Sequence, residues 1–263
     1  MSGAVGRGLL LRRLAVARFA GPVQVDDLGH GARIAIPTLR NHPMQIELTA
    51  ADGHRLSAWR AGPQDAKHGL VVIQEIFGVN AHMKRLSDHL GSLGWAVVTP
   101  ALFDRAERGV ELGYEAPDRE RGMALRKKVS DEAAMLDVEA AAQALPAGAA
   151  KGIIGYCWGG TIAWWGATRS NTFRAAVGYY GGGIAGTRSE VPHCPVQLHF
   201  GEKDAGIPLS DVDLVRQAQP GVEIHLYPDA GHGFACEDRS SYNPAATELA
   251  EGRALAFLSS RLG

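Results

Sequence analysis

The chain has 263 residues, a formal net charge of −1 and 46% apolar side chains, which reads as one soluble globular domain of ordinary composition. Balanced charge without a basic stripe argues against nucleic acid or an anionic membrane as partner, and no stretch approaches the roughly 20 apolar residues of a spanning helix. Three cysteines without a CxxC pair argue against a disulfide framework or a zinc site and fit a reducing, cytoplasmic setting.

Residues 1–25 carry Arg7, Arg12, Arg13 and Arg18 and no acidic residue. Three readings compete there: an arginine-rich organellar leader, a weak twin-arginine export signal, or a start codon upstream of a true start at Met44, the last being favoured. Residues 1–43 are expected to be an extension outside the fold. Residues 44–263 show no repeat and no linker and are expected to form one domain.

Along that domain, residues 45–49 and 55–61 flank the turn signal Asp52-Gly53 and predict an antiparallel hairpin. Residues 70–73 and 95–98 are short apolar runs of the kind a parallel sheet buries on both faces. Between them, residues 80–93 have helical spacing at Met83, Leu86, Leu90 and Leu93, with Asn80 as N-cap and Gly94 as stop. A helical segment over about 119–145 precedes the apolar run that ends in "GYCWGG". Further strands are predicted at 175–180, 196–200 and 223–227, and a last helix at 245–258. Strands alternating with helices imply a three-layer α/β fold with a mostly parallel sheet.

In "GYCWGG", Gly155, Cys157 and Gly159 have the form glycine-x-nucleophile-x-glycine at a strand-to-helix junction. Glycines are needed there because a side chain would collide with the neighbouring strand or helix. Cys157 would project from the turn, and the helix N-terminus would favour its thiolate; the bland alternative is one more small buried cysteine. Two later loops shift the balance. "HFGEKDAGIP" places Asp204 after one strand, and "YPDAGHGF" places His232 in a glycine-flanked loop after the next. Acid and base thus follow the nucleophile in the order an α/β-hydrolase requires. His232 would take the thiol proton and return it to a leaving group, and Asp204 would fix the imidazole tautomer.

These stretches, with "QEIFGVN", "P-x-L-F-x-R" and "AVGYYG" in the same order, resemble the dienelactone hydrolases, or carboxymethylenebutenolidases, cysteine members of the α/β-hydrolase fold. The resemblance spans residues 44–263. It implies that Cys157, Asp204 and His232 are nucleophile, acid and base, and that Glu75 holds the resting thiol and helps deprotonate it when substrate arrives. It further implies an oxyanion hole from the backbone N–H groups of Ile76 and Trp158, no metal and no organic cofactor.

The family binds the lactone's free carboxylate with two arginines. The first matches Arg105; the second falls on Cys236, which cannot form a charge-assisted bidentate pair. Arg239 and Arg108 are the nearby replacements, each by default a solvated charge. Tyr180, Trp158 and Phe103 are expected to line the pocket, and Cys194 to be inert. The leading expectation is a monomeric, cysteine-dependent hydrolase of a small carboxylic ester or lactone. A hydrolase of the same fold on unrelated esters or thioesters, and a silent module that binds a ligand or partner, stay open beside it.

Overall fold

A computed structural model describes residues 42–263. The expectations for the N-terminal extension fall almost wholly on residues 1–41, outside the described residues. The predicted hairpin forms from β1 (Met44–Thr49) and β2 (Arg55–Ala61), with Thr49 opposite Arg55. Then follow β3 (His68–Ile73), α1 (Ala81–Ser92) and β4 (Ala96–Pro100). Asn80 caps α1 as predicted, accepting from the Met83 N–H at 3.2 Å.

The single helix expected near 119–145 is two. α2 (Ala116–Arg126) and α3 (Asp131–Gln143) are separated at Ser130, whose side chain accepts from the Ala133 N–H and starts α3 afresh. After them come β5 (Ala150–Tyr156), α4 (Trp158–Arg169), β6 (Ala175–Tyr179), β7 (Val196–Gly201), α5 (Leu209–Ala218), β8 (Glu223–Tyr227) and α6 (Pro244–Leu262). Three features had no counterpart among the expected elements: α5, and the 3-10 turns at Leu102–Arg105 and Ala185–Thr187.

The eight strands form one sheet in the order β1-β2-β4-β3-β5-β6-β7-β8. From β4 to β8 the pairing is parallel, and β2 joins it antiparallel. Neighbouring side chains on β5 point to opposite faces. Gly152 faces Leu258 and Leu262 of α6, while Ile153 faces Gly166 of α4. Helices therefore cover both faces, as in the predicted three-layer fold. β3, β4 and β6 are buried along almost their whole length, which is why their sequences are mostly continuous apolar runs. β7 is buried as well but alternates Val196, Leu198 and Phe200 with Gln197 and His199, whose side chains hydrogen-bond each other at 2.9 Å. Phe257, Leu258 and Leu262 anchor α6 to this core, each side chain contributing about 1.5–3 kcal/mol on full burial. No helix among the described residues is long and apolar enough to cross a membrane.

Candidate active site

β5 ends at Tyr156 and α4 begins at Trp158, so the chain reverses from strand to helix on Cys157 alone. That reversal forces Cys157 to φ 56° and ψ −116°, a conformation costing on the order of 1–3 kcal/mol for a residue with a side chain. The Cys157 N–H donates to Tyr179 O at 3.0 Å, and its carbonyl accepts from the Gly160 N–H at 3.0 Å. Close packing fixes the adjacent residues as glycine. A Cβ on Gly155 would lie 1.9 Å from Gly159 O, one on Gly159 2.4 Å from Ile73 O, and one on Gly160 2.3 Å from Tyr179 O. The predicted elbow is present, and its thiol is partly exposed.

Because β7 and β8 are adjacent and parallel, the loops after them leave the sheet at one end. Lys203 N–H donates to Ala230 O at 2.9 Å and ties the two loops together. Asp204 is buried; its Oδ1 accepts from the Gly206 N–H at 2.8 Å, and its Oδ2 lies 2.8 Å from His232 Nδ1. His232 Nε2 lies 3.2 Å from Cys157 Sγ. The three predicted side chains thus form one continuous hydrogen-bonded line. Burial pulls the His232 imidazolium down, but the hydrogen bonds to Asp204 and Cys157 outweigh it and hold the pKa up at about 10. Ser241 Oγ fixes the loop by donating to His232 O at 2.7 Å.

Glu75 leaves β3 beside the elbow, since Gly159 packs against the Ile73 and Gln74 carbonyls. It is buried, which pushes its carboxyl pKa upward against the pull of Arg239 and His232. Its hydrogen-bond partner is Arg239, with Nη1 to Oε1 at 3.1 Å, and not the Cys157 thiol that the family resemblance implies. Arg239 is correspondingly no solvated charge. Its guanidinium lies over the Phe77 ring at 5.6 Å and against Gly233, where a Cβ would stand 2.3 Å from Nη1. Gly233 also has φ 77°, a backbone conformation that favours glycine beside the histidine.

Trp158 opens α4, so its N–H has no intrahelical acceptor. The Ile76 N–H donates to no backbone acceptor among the described residues. Both are therefore free to receive an oxyanion. Tyr180, at φ 38°, holds its ring 5.1 Å from the His232 ring, and its buried hydroxyl has no protein partner among the described residues. Phe103 stacks on Trp158 at 5.5 Å. Cys236 is fully buried and, through burial, its thiol is pushed up to about 12; Cys194 is raised the same way to about 11.

Arg105, expected to bind a substrate carboxylate, is occupied by two carboxylates of this chain. Its Nε and Nη2 each bond Asp137 at 2.8 Å, and its Nη1 bonds Asp52 at 2.7 Å. Asp137 is fully buried and would be an uncompensated charge without this fork, so the guanidinium is held between α3 and the β1–β2 turn. Arg108 pairs with Glu47 at 3.6 Å on the surface. Of the two replacement arginines named from the sequence, Arg239 is the one beside the site residues, bonded to Glu75, a partner 164 residues away in the chain.

The sequence profile of the Dienelactone hydrolase family matches residues 56–262. The chain is 36% identical over 224 residues to a carboxymethylenebutenolidase from Pseudomonas putida, covering 81% of this chain and 94% of that one. It is 32% identical over 224 residues to carboxymethylenebutenolidase 1 from Cupriavidus pinatubonensis, covering 81% and 95%. A crystal structure from Klebsiella pneumoniae superimposes with TM-score 0.70 at 29% identity, over 83% of this chain and 99% of that one. A dienelactone hydrolase from Anabaena variabilis shares the fold, with TM-score 0.64 at 15% identity over 85% and 100%.

Proposed function

We propose, from the premise that this chain belongs to the dienelactone hydrolase family, that its activity on esters or lactones runs through Cys157. The observation that carries this reading is the line Asp204–His232–Cys157, with contacts of 2.8 and 3.2 Å, ending on the strained elbow residue. The Cys157 thiolate attacks the substrate carbonyl carbon, and the C–S bond forms as the carbonyl electrons move to oxygen. The Ile76 and Trp158 N–H groups receive that oxyanion; one such donor is worth about 3–4 kcal/mol of barrier. On collapse, the bond to the leaving oxygen breaks, and the imidazolium of His232 gives it a proton. Water, activated by the neutral imidazole, then cleaves the thioester and returns the thiol. Asp204 stays ionised and holds Nδ1–H throughout.

Substrate recognition falls to Arg239 instead of Arg105. A substrate carboxylate that pairs with Arg239 competes with Glu75 for it. Glu75, already pushed up by burial, then takes a proton more readily, which suits it to help deprotonate the thiol as the anion arrives. The Tyr180 hydroxyl supplies a further donor to the bound substrate. One arginine where the family has two favours a second reading, an esterase or thioesterase of the same mechanism on a substrate without a carboxylate.

Hydrolysis of trans-dienelactone and of p-nitrophenyl acetate by wild type, Cys157→Ala and Arg239→Met separates these. Cys157→Ala should abolish both activities. Arg239→Met should raise KM for the lactone about tenfold or more, the loss of a charge-assisted contact, and spare the acetate. Retained turnover in Cys157→Ala refutes the cysteine mechanism; an Arg239→Met effect equal on both substrates refutes the anchor and supports the second reading.

A further inference from the structure

The two oxyanion donors come from segments far apart in sequence, and one helix touches both residues. Gly122 of α2 lies so close to Ile76 that a Cβ there would stand 2.0 Å from Ile76 O and 3.4 Å from Ile76 Cβ. Four residues on, and therefore on the same face of the helix, Arg126 holds its guanidinium carbon 4.9 Å from the Trp158 ring centroid. The guanidinium is itself fixed: Nη1 donates to Val129 O at 3.1 Å and Nη2 to Asp131 Oδ1 at 2.9 Å. Trp158 also stacks on Phe103, with the planes 19° apart.

We infer that α2 is the element that sets the oxyanion hole, with Arg126 as a positioning residue acting through the Trp158 ring. Trp158 carries its N–H on the residue next to the strained Cys157, so a ring free to move would loosen the peptide that presents the donor. The ring is braced by Phe103 from one segment and by a cation from another. On the other donor, the glycine at 122 lets the helix backbone rest on the Ile76 carbonyl and Cβ, the same residue whose N–H is the donor. No hydrogen bond joins Arg126 to Cys157, His232, Asp204 or Glu75 among the described residues. Its influence therefore reaches the reaction through the donor and not through the nucleophile.

This inference rests on the acyl-transfer reading of Cys157, and the test keeps the two apart. Acyl transfer, measured as kcat/KM on p-nitrophenyl acetate, needs the oxyanion hole. Alkylation of Cys157 by iodoacetamide displaces iodide and develops no oxyanion. Loss of an oxyanion donor costs about a hundredfold or more, and displacement of one that remains should cost about tenfold. Arg126→Met should lower acyl transfer about tenfold and leave alkylation within about twofold of wild type. Arg126→Lys, which keeps a cation on the ring, should recover most of the loss. Gly122→Ala, which pushes α2 off Ile76, should give the same split and carries the test if Arg126→Met does not fold. Unchanged acyl transfer, an equal fall in both rates, or no recovery with lysine overturns the inference. Acetate turnover that survives Cys157→Ala instead overturns the cysteine reading itself.

Discussion

Replacing Arg239 by methionine removes the cation that is hydrogen-bonded to the Glu75 carboxylate, and the structure sets the size of the effect. The contact is 3.1 Å, Glu75 is 2% exposed and the Arg239 side chain 18%. At an effective dielectric of about 20, the attraction at that distance is about 5 kcal/mol. Desolvation of both groups offsets part of it, and breaking such a pair by deleting one member costs about 3–5 kcal/mol. Methionine keeps much of the packing against Phe77, so the loss reports on charge. Burial already raises the Glu75 pKa, and Arg239 is the first influence holding it down. Without Arg239 the folded-state value rises further above the unfolded one. The folded chain then binds more protons than the unfolded chain from about the unfolded pKa up to the new value, so stability falls as pH rises through that window. Urea unfolding should show Arg239→Met destabilised by about 3 kcal/mol at pH 8 and by clearly less at pH 5. Glu75→Gln in the same background should recover about half of the loss. A penalty under about 1 kcal/mol, or one equal at the two pH values, would refute the pairing as the source of the effect.

Gly159→Ala forces a Cβ to 2.4 Å from Ile73 O, a backbone atom held in β3, and should cost about 3 kcal/mol or more by urea unfolding. A loss below 1 kcal/mol by the same measure would contradict the packing of the elbow. Arg105→Met should destabilise by about 3 kcal/mol, because Asp137 is left buried and unpaired, yet keep the acetate activity per folded molecule. Loss of activity at full stability would return Arg105 to the site. The His232 ring should titrate near pH 10 in an NMR pH series, and Asp204→Asn should move the midpoint down toward the ordinary histidine value. Since the folded pKa is raised, its contribution to stability is complete below about pH 6.5 and lost as pH rises through about 10. A midpoint unmoved by Asp204→Asn would contradict the assigned cause.

β3, β4 and β6 were legible because buried parallel strands are mostly continuous apolar runs, whereas β7 and β8 show the alternation of apolar and polar residues that also marks a strand; residues 223–227 match the observed bounds of β8 even though it is an edge strand. The elbow was legible for a different reason: a strand that turns into a helix on one residue leaves no room for side chains beside it, so glycine marks the turn whether the colliding atom is local, as Gly159 O is for Gly155, or distant, as Ile73 O is for Gly159. One miss was local: Ser130 accepts from the Ala133 N–H three residues on, caps a new helix and divides the segment expected as one. What failed besides was contact at long sequence separation. Arg105 matched the family's pattern by position, yet Asp52 and Asp137, from two other elements, claim its guanidinium. Arg239 was expected as a replacement arginine from its nearness to His232, but its pairing with Glu75 comes only from the fold. The position of a charged residue along the chain says little about which opposite charge it meets, because that is decided by the packing of whole elements.

The central claim is that Cys157 becomes covalently acylated. Mixing the protein with p-nitrophenyl acetate, quenching in acid within the first turnover and mapping the digest by mass spectrometry tests it directly. An acetyl group on the peptide that bears Cys157, absent when the same experiment uses Cys157→Ala, is the predicted result. An unmodified Cys157 in protein that turns over the ester, or an acetyl group on another residue, would contradict it.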